Sequence, residues 1–269
     1  MDLINYSRNI TSQYGEDGII EKIIEVIGDK ISKYFVEFGA WDGKHLSNTW
    51  NLIHNSNWSG CYIEGNYERY SQLNKSYILN DRITCIHAMV SDSSDSNNCL
   101  VKLLKNAGAP THIGLLSIDI DGNDYDVWRD FSGFEVDIVC IEFNPTLPPI
   151  LEYVDSGGRA FMGSSALSLT KLAQSKGYEL VACTFSNCIY VKSEYFPLFN
   201  IKNNSVDKLM PMDGVTYLCR NFAGEIVFTN KNIVTPMIGL ILYKSPRKWV
   251  KLILKRIKSF RFLNDTYPR

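Results

Sequence analysis

A short apolar run, Tyr34 to Phe38, leads directly into a glycine-bearing turn, Val36-Glu-Phe-Gly-Ala-Trp-Asp-Gly43. A strand that stops at such a turn, with a helical pattern after it, is the opening unit of a parallel sheet whose connections cover both faces. The pattern recurs. The spacing of apolar residues predicts strands at Gly60 to Glu64, Ile83 to Val90, Gly114 to Ile120 and Asp137 to Phe143. It predicts helices at Gly18 to Ile27, Ser47 to His54, Tyr67 to Leu79, Leu100 to Ala107 and Leu167 to Lys176. Tyr178 to Thr184 and Cys188 to Val191 read as a closing pair of strands. The fold class expected is therefore α/β, with a mostly parallel sheet and a C-terminal antiparallel strand pair.

At 269 residues, 45% hydrophobic and 21% charged, the chain has ample material for a core and is not globally disordered. Seven scattered cysteines without a CxxC pair read as reduced, buried thiols of a cytoplasmic protein. Cys183 and Cys188 are the closest, and a zinc site would need further ligands near them. No signal peptide is expected from Met-Asp-Leu-Ile-Asn. The longest apolar run, Ile233 to Tyr243, contains Pro236 and falls short of the roughly 20 residues of a spanning helix.

The net charge of −1 hides an asymmetry: between Ile226 and Asn264 there are nine basic residues and no acidic ones, which leaves the remainder at −10. This is not the composition of a nucleic-acid-binding protein. A domain spanning residues 1–230 and a basic tail at 231–269 follow. Ser245-Pro-Arg-Lys-Trp-Val opens like a capped helix, and Trp249, Leu252, Ile253, Ile257 and Phe260 recur at helical spacing. A C-terminal amphipathic helix on an anionic membrane surface, at the inner face of the membrane, is one expectation; packing on the domain or on a second subunit of a homo-oligomer is the other.

The first turn lacks the third glycine of the dinucleotide fingerprint, so it is not built to hold a pyrophosphate. S-adenosyl-L-methionine carries no phosphate and suits a looser turn with acidic groups. Gly39 lets a ligand approach the backbone, Asp42 can accept from an amine or hydroxyl, and Ser47-Asn48-Thr49 suits a helix cap. Glu64, at the end of the second strand, can accept both hydroxyls of a ribose.

Beyond this turn, Asp119, Asp121 and Asp124 crowd the end of the fourth strand, while Glu142 and Asn144 end the fifth. Three uses stand open. Asp121-Gly-Asn-Asp124 can be a turn only. Asp119, Asp121 or Glu142 can be a general base for a substrate hydroxyl. Asp121, Glu142 and Asn144 can hold Mg²⁺ or another divalent cation. His45, His87 and His112 are alternative bases. No GxSxG elbow is present. The loop Gly157-Gly-Arg-Ala-Phe-Met-Gly-Ser-Ser165 can serve the acceptor, its arginine holding a phosphate or carboxylate.

Ser12-Gln-Tyr-Gly-Glu-Asp17, Val36 to Gly43 with Ser47-Asn48-Thr49, Gly60-Cys-Tyr-Ile-Glu64 and Ser117-Ile-Asp-Ile-Asp-Gly-Asn-Asp-Tyr125 together resemble the FkbM-like family of methyltransferases. The resemblance spans roughly Ser12 to Val191. It implies a Rossmann-like methyltransferase fold and O-methylation of a sugar or natural product, often a bacterial surface glycan. The acceptor would be a glycan or sugar, lipid-linked or nucleotide-linked. It further implies that Gly39 and Asp42 line the methionine part of the cofactor, with Ser47 and Asn48 beside it. Glu64 would hold the ribose, and Ala88-Met89 would border the adenine. Asp119 joins this set at the end of the fourth strand, and Gln13 and Glu16 would close the site. Where many relatives have Ile-Asp-Val-Glu-Gly, this chain has Ile-Asp-Ile-Asp-Gly-Asn-Asp, which bears on acceptor and metal. Two rivals remain: a binding protein or membrane adaptor that keeps the fold without the chemistry, and a nicotinamide-linked oxidoreductase, which the missing glycines disfavour.

Overall fold

The computed structural model describes residues 1–93, 95–155, 163–212, 217–220, 222–224, 226–230 and 233–236. The chain divides into two units, Met1–Pro211 and Met212–Arg269. The first alternates strand and helix as expected: α1 (Glu16–Ile27), β1 (Tyr34–Phe38), α2 (Trp50–Asn55), β2 (Ser59–Glu64), α3 (Tyr67–Tyr77), β3 (Ile83–His87), α4 (Leu100–Asn106), β4 (His112–Ile118), α5 (Asp124–Asp130), β5 (Glu135–Glu142), α6 (Ala166–Ser175), β6 (Tyr178–Cys183), β7 (Asn187–Lys192) and the single turn α7 (Val206–Leu209).

The seven strands lie in the order β3-β2-β1-β4-β5-β7-β6. The first five in that order are parallel, and β7 runs antiparallel to both β5 and β6. This is the α/β, Rossmann-like sheet with an antiparallel pair that the sequence predicts. The apolar residues explain it. Phe35, Leu115, Ile138, Cys140 and Ile189 are buried in one cluster with Ile19, Ile20, Ile23 and Ile27 of α1. Burial of each such Leu, Ile or Phe is worth about 1.5–3 kcal/mol. Strand order reverses between β1 and β4, so a crevice opens above their carboxyl ends, where ligands of open α/β sheets gather.

Three local departures matter for the site. β4 stops at Ile118, before the expected Ile120, because the chain turns at Asp119. α2 starts at Trp50 rather than Ser47, since the Ser47 and Thr49 hydroxyls turn inward to Glu37. α5 was not expected at all: Asp-Gly-Asn-Asp reads as a turn, and the helix after it is one of only seven residues.

In the second unit, β8 (Tyr217–Arg220), β9 (Ile226–Asn230) and β10 (Ile233–Pro236) form an antiparallel sheet in the order β10-β9-β8. The expected boundary near Asn230 therefore falls between two paired strands. The amphipathic helix expected from Ser245 lies outside the described residues. Among the described residues no helix is long and apolar enough to cross a membrane.

Candidate active site

Glu37 organises the first turn. It sits near the end of β1 and is 5% exposed. Its carboxylate accepts from Ser47 Oγ and Thr49 Oγ1, both at 2.6 Å, and from Asn48 N at 2.9 Å. Burial pushes its pKa up, and these three hydrogen bonds pull it back. Asn48 Nδ2 donates to Ser117 Oγ on β4 at 3.1 Å. Ser47 and Asn48, expected beside the cofactor, are thus fixed by a residue that was not among the expected site residues. Its signal was an acid two positions before the turn glycine, hidden because an acid inside an apolar strand reads as part of the strand.

Gly39 lines the cavity and is also required by the packing of the turn. It has φ +77°, and a Cβ placed there would lie 1.6 Å from the carbonyl oxygen of Asp119. The missing side chain makes room for the chain just past β4. Asp42 Oδ1 accepts from Lys44 N (2.9 Å) and His45 N (2.7 Å) and braces its own turn, outside the cavity lining. Glu64, 5% exposed at the end of β2, accepts from Trp41 N and Asn66 N, each at 2.7 Å. A carboxylate has about four lone-pair positions, so about half of its accepting capacity is uncommitted.

The acidic cluster divides by role. Asp124 is 2% exposed and accepts from Ile120 N and Gly122 N at 2.9 Å each, so it shapes the turn. That turn holds Asp121 at φ +56°, a left-handed conformation uncommon outside glycine. Asp119, Asp121 and Glu142 then each place a carboxylate oxygen within 4.8 Å of the others. Asn144, expected as a metal ligand, follows Glu142 by two residues; its side-chain oxygen accepts from Thr146 N and Thr146 Oγ1 and braces the loop after β5. Asp119, expected as base and cofactor contact, is the third carboxylate of the group.

Burial and the neighbouring carboxylates push Asp119 up to about 7 and Glu142 up to about 10. The pair therefore shares a proton at neutral pH. Asp119 and Asp121 are themselves exposed to the cavity. Water there relieves part of the push on Asp119, and a ligand that expels the water strengthens it.

One cavity of about 560 Å³ collects Gln13, Gly39, Ser47, Asn48, Glu64, Met89, Asp119, Asp121 and Glu142. Met89, 71% exposed, stands at its rim. Gln13 arrives on the N-terminal loop, which two acids pin. Asp17 Oδ2 accepts from the successive amides of Ile10, Thr11 and Ser12 at 2.7–2.8 Å. Glu16, expected to close the site, is fully buried and accepts from Tyr14 N, Thr184 Oγ1 and Asn187 Nδ2. It ties that loop to the β6–β7 hairpin and stays out of the lining.

Of the three histidines, His45 lines the cavity. His87 meets Gly65 O, and His112 pairs with Asp137 below the sheet. Cys183 and Cys188 are free, buried and 3.7 Å apart on paired strands. Residues 157–162 of the expected acceptor loop lie outside the described residues; Ser164 and Ser165 hold the amides of Asp155 and Tyr153.

No family model matches this chain, and no curated protein matches it. Solved structures similar to it include TrmK of M. capricolum in complex with S-adenosyl-homocysteine, 12% identical, with 64% of this chain and 67% of that chain covered and a TM-score of 0.42. A putative caffeoyl-CoA O-methyltransferase from Staphylococcus aureus is 12% identical over 70% of this chain and 87% of that one, with a TM-score of 0.45. The O-methyltransferase NcsB1 from neocarzinostatin biosynthesis, in complex with S-adenosyl-L-homocysteine and 1,4-dihydroxy-2-naphthoic acid, is 15% identical over 66% of this chain and 57% of that one, with a TM-score of 0.37.

Proposed function

We propose that this chain is an S-adenosyl-L-methionine-dependent O-methyltransferase acting on a hydroxyl of a sugar or glycan. One observation carries the reading: above the switch point of the sheet, a single cavity joins a ribose-type acid, Glu64, to the carboxylates Asp119, Asp121 and Glu142. The residues suit the cofactor. Asn123, a residue of the cavity lining, keeps a buried side-chain oxygen with no hydrogen-bond partner among the described residues, and Glu64 keeps free accepting capacity for a ribose hydroxyl. The motif resemblance to FkbM-like methyltransferases supports the sugar acceptor, and the basic tail supports work at an anionic membrane surface on the cytoplasmic side.

When bound, the cofactor supplies an electrophilic methyl group on a sulfonium. Ser47, Asn48 and Glu64 would hold it, and Met89 would border its base. That methyl group would pass to the acceptor oxygen, and the cofactor would leave as a neutral thioether. Asp119, with a pKa near the working pH, takes the hydroxyl proton, which suits a general base. Glu142, protonated, donates a hydrogen bond and leaves Asp119 as the ionised member.

A second reading rests on the same three carboxylates. Oxygen ligands this close suit a divalent cation such as Mg²⁺, which would orient the acceptor and lower its hydroxyl pKa. Calorimetry with S-adenosyl-L-methionine, then methyl transfer to a glycan panel with Mg²⁺ or with chelator, tests both. Binding followed by transfer that survives chelator is the expected result. Transfer lost on chelation moves the role to the cation, and no heat from a folded sample ends the methyltransferase reading in favour of a binding protein.

A further inference from the structure

The cavity is polarised, and its cationic end is a built feature with no use in the mechanism above. Arg69, in the first turn of α3, lines the cavity with its guanidinium stacked on Trp41, 3.6 Å from the ring centroid. Trp41 is held for this. Its φ is +51°, its amide is fixed to Glu64 Oε2 at 2.7 Å, and His45 packs edge-on against the ring at 4.9 Å. A non-glycine residue keeps such a backbone only where its surroundings over-determine it.

Three other arginines serve as a comparison. Arg8 pairs with Glu21, Arg82 donates to Asn57 and to backbone carbonyls, and Arg129 pairs with Asp126 and Asp130. The Arg69 backbone N–H donates to the Asn66 cap, but its guanidinium has no hydrogen-bond or ion-pair partner among the described residues. Stacking occupies the face of the guanidinium and leaves its N–H edge free, and that edge matches a carboxylate or phosphate with two parallel hydrogen bonds.

We propose that Arg69, backed by Trp41, binds an anionic group of the acceptor, a carboxylate or a phosphate. The proposal rests on the methyl-transfer reading for the word acceptor, and the anion site itself does not depend on it. In that reading Glu64, just before α3, would take the cofactor's ribose, and Gly39 and Ser47 would border its methionine part. The strand leading to Arg69, β2, lies two ladder spacings from β4 and three from β5, about 10 and 15 Å. Arg69 and Asp119 thus follow different strands of one cavity wall, and an acceptor anchored at Arg69 and reacting at Asp119 carries its charge away from the methylated hydroxyl. This is the arrangement of a sugar phosphate or a uronic acid.

The test is direct binding to the full chain by calorimetry at fixed ionic strength, with glucose, glucose 1-phosphate and glucuronate as probes. Wild type should bind both charged sugars, or one of them, at least tenfold more tightly than glucose; which one responds separates phosphate from carboxylate acceptors. Arg69→Ala should bring the charged sugars to the level of glucose, with S-adenosyl-L-methionine affinity unchanged. Arg69→Lys should restore part of the phosphate preference, and Trp41→Ala should lose part of it. Equal binding of glucose and both charged sugars by wild type overturns the proposal. So does an Arg69→Ala variant that loses S-adenosyl-L-methionine and keeps the charged sugars. If no variant and no wild type binds S-adenosyl-L-methionine while the Arg69-dependent preference persists, the anion site stands and the methyltransferase reading falls.

Discussion

The strand β5 ends in an acid at both edges of the sheet, and the two ends are built oppositely. At its start Asp137 is fully buried yet fully matched. It accepts from Ser32 N at 3.0 Å and His112 Nε2 at 2.8 Å, and from Tyr195 Oη at 3.2 Å, with Lys192 Nζ at 3.3 Å. Its neighbour Glu135 is held below the ordinary carboxylate range by Lys192. At the other end Glu142 faces Asp119, and every charge acting on it is negative. A buried carboxylate with cations and donors around it is a structural tie. One surrounded by carboxylates raises the free energy of the folded state, and such arrangements concentrate at working sites.

Three experiments test that contrast, in descending order of effect. Asp137→Ala should be the most destabilising, by about 3–5 kcal/mol, because it strands the groups that converge on the buried carboxylate. Denaturant unfolding measures it; a loss below 1 kcal/mol would mean that the lower cluster is no tie. Asp119→Asn should do the reverse: turnover falls about 10²–10⁴-fold through loss of the base, while the melting temperature holds or rises as like-charge repulsion is relieved. A melting temperature that drops with it would make Asp119 structural.

The third concerns pH. Asp119 and Glu142 keep protons in the folded chain that the unfolded chain releases near pH 4, so folding binds protons and stability must fall as pH rises. The decline should run from the ordinary carboxylate range through about 7 for Asp119 and on toward about 10 for Glu142. Buried Glu37 and Asp124 shift the same way. Thermal melts across pH 5–8 should therefore slope downward, and combining Asp119→Asn with Glu142→Gln should flatten the slope. An unchanged slope would remove the pair as its source.

Much of this was legible in the sequence, for identifiable reasons. Strands buried on both faces leave continuous apolar runs, so β1 to β5 and the closing pair were each found within a few residues. Residues at strand ends, such as Glu64, Asp119 and Glu142, follow once the strands are located. What failed depends on where a short polar side chain turns. Asp42 and Asn144 have the composition of ligands, and in the structure each puts an oxygen on groups two or three residues further along its own loop, a choice made by loop geometry. Glu37 was missed because its partners lie ten to twelve residues away along the chain. The pairing of Arg69 with Trp41 joins two different connections and leaves no periodic trace.

Glu16 has a consequence for the order in which the molecule matures. Its partners Thr184 and Asn187 lie 168 and 171 positions away. During synthesis the central strands can pair while this acid still waits for the last hairpin. Contacts of such long range form late, after the loop-closure entropy has been met. The N-terminal loop, and Gln13 with it, is therefore the last part of the cavity wall to lock. A ribosome-bound chain stopped short of residue 184 would carry a sheet with an unfinished pocket, and ligand capture would begin only once the final hairpin had emerged.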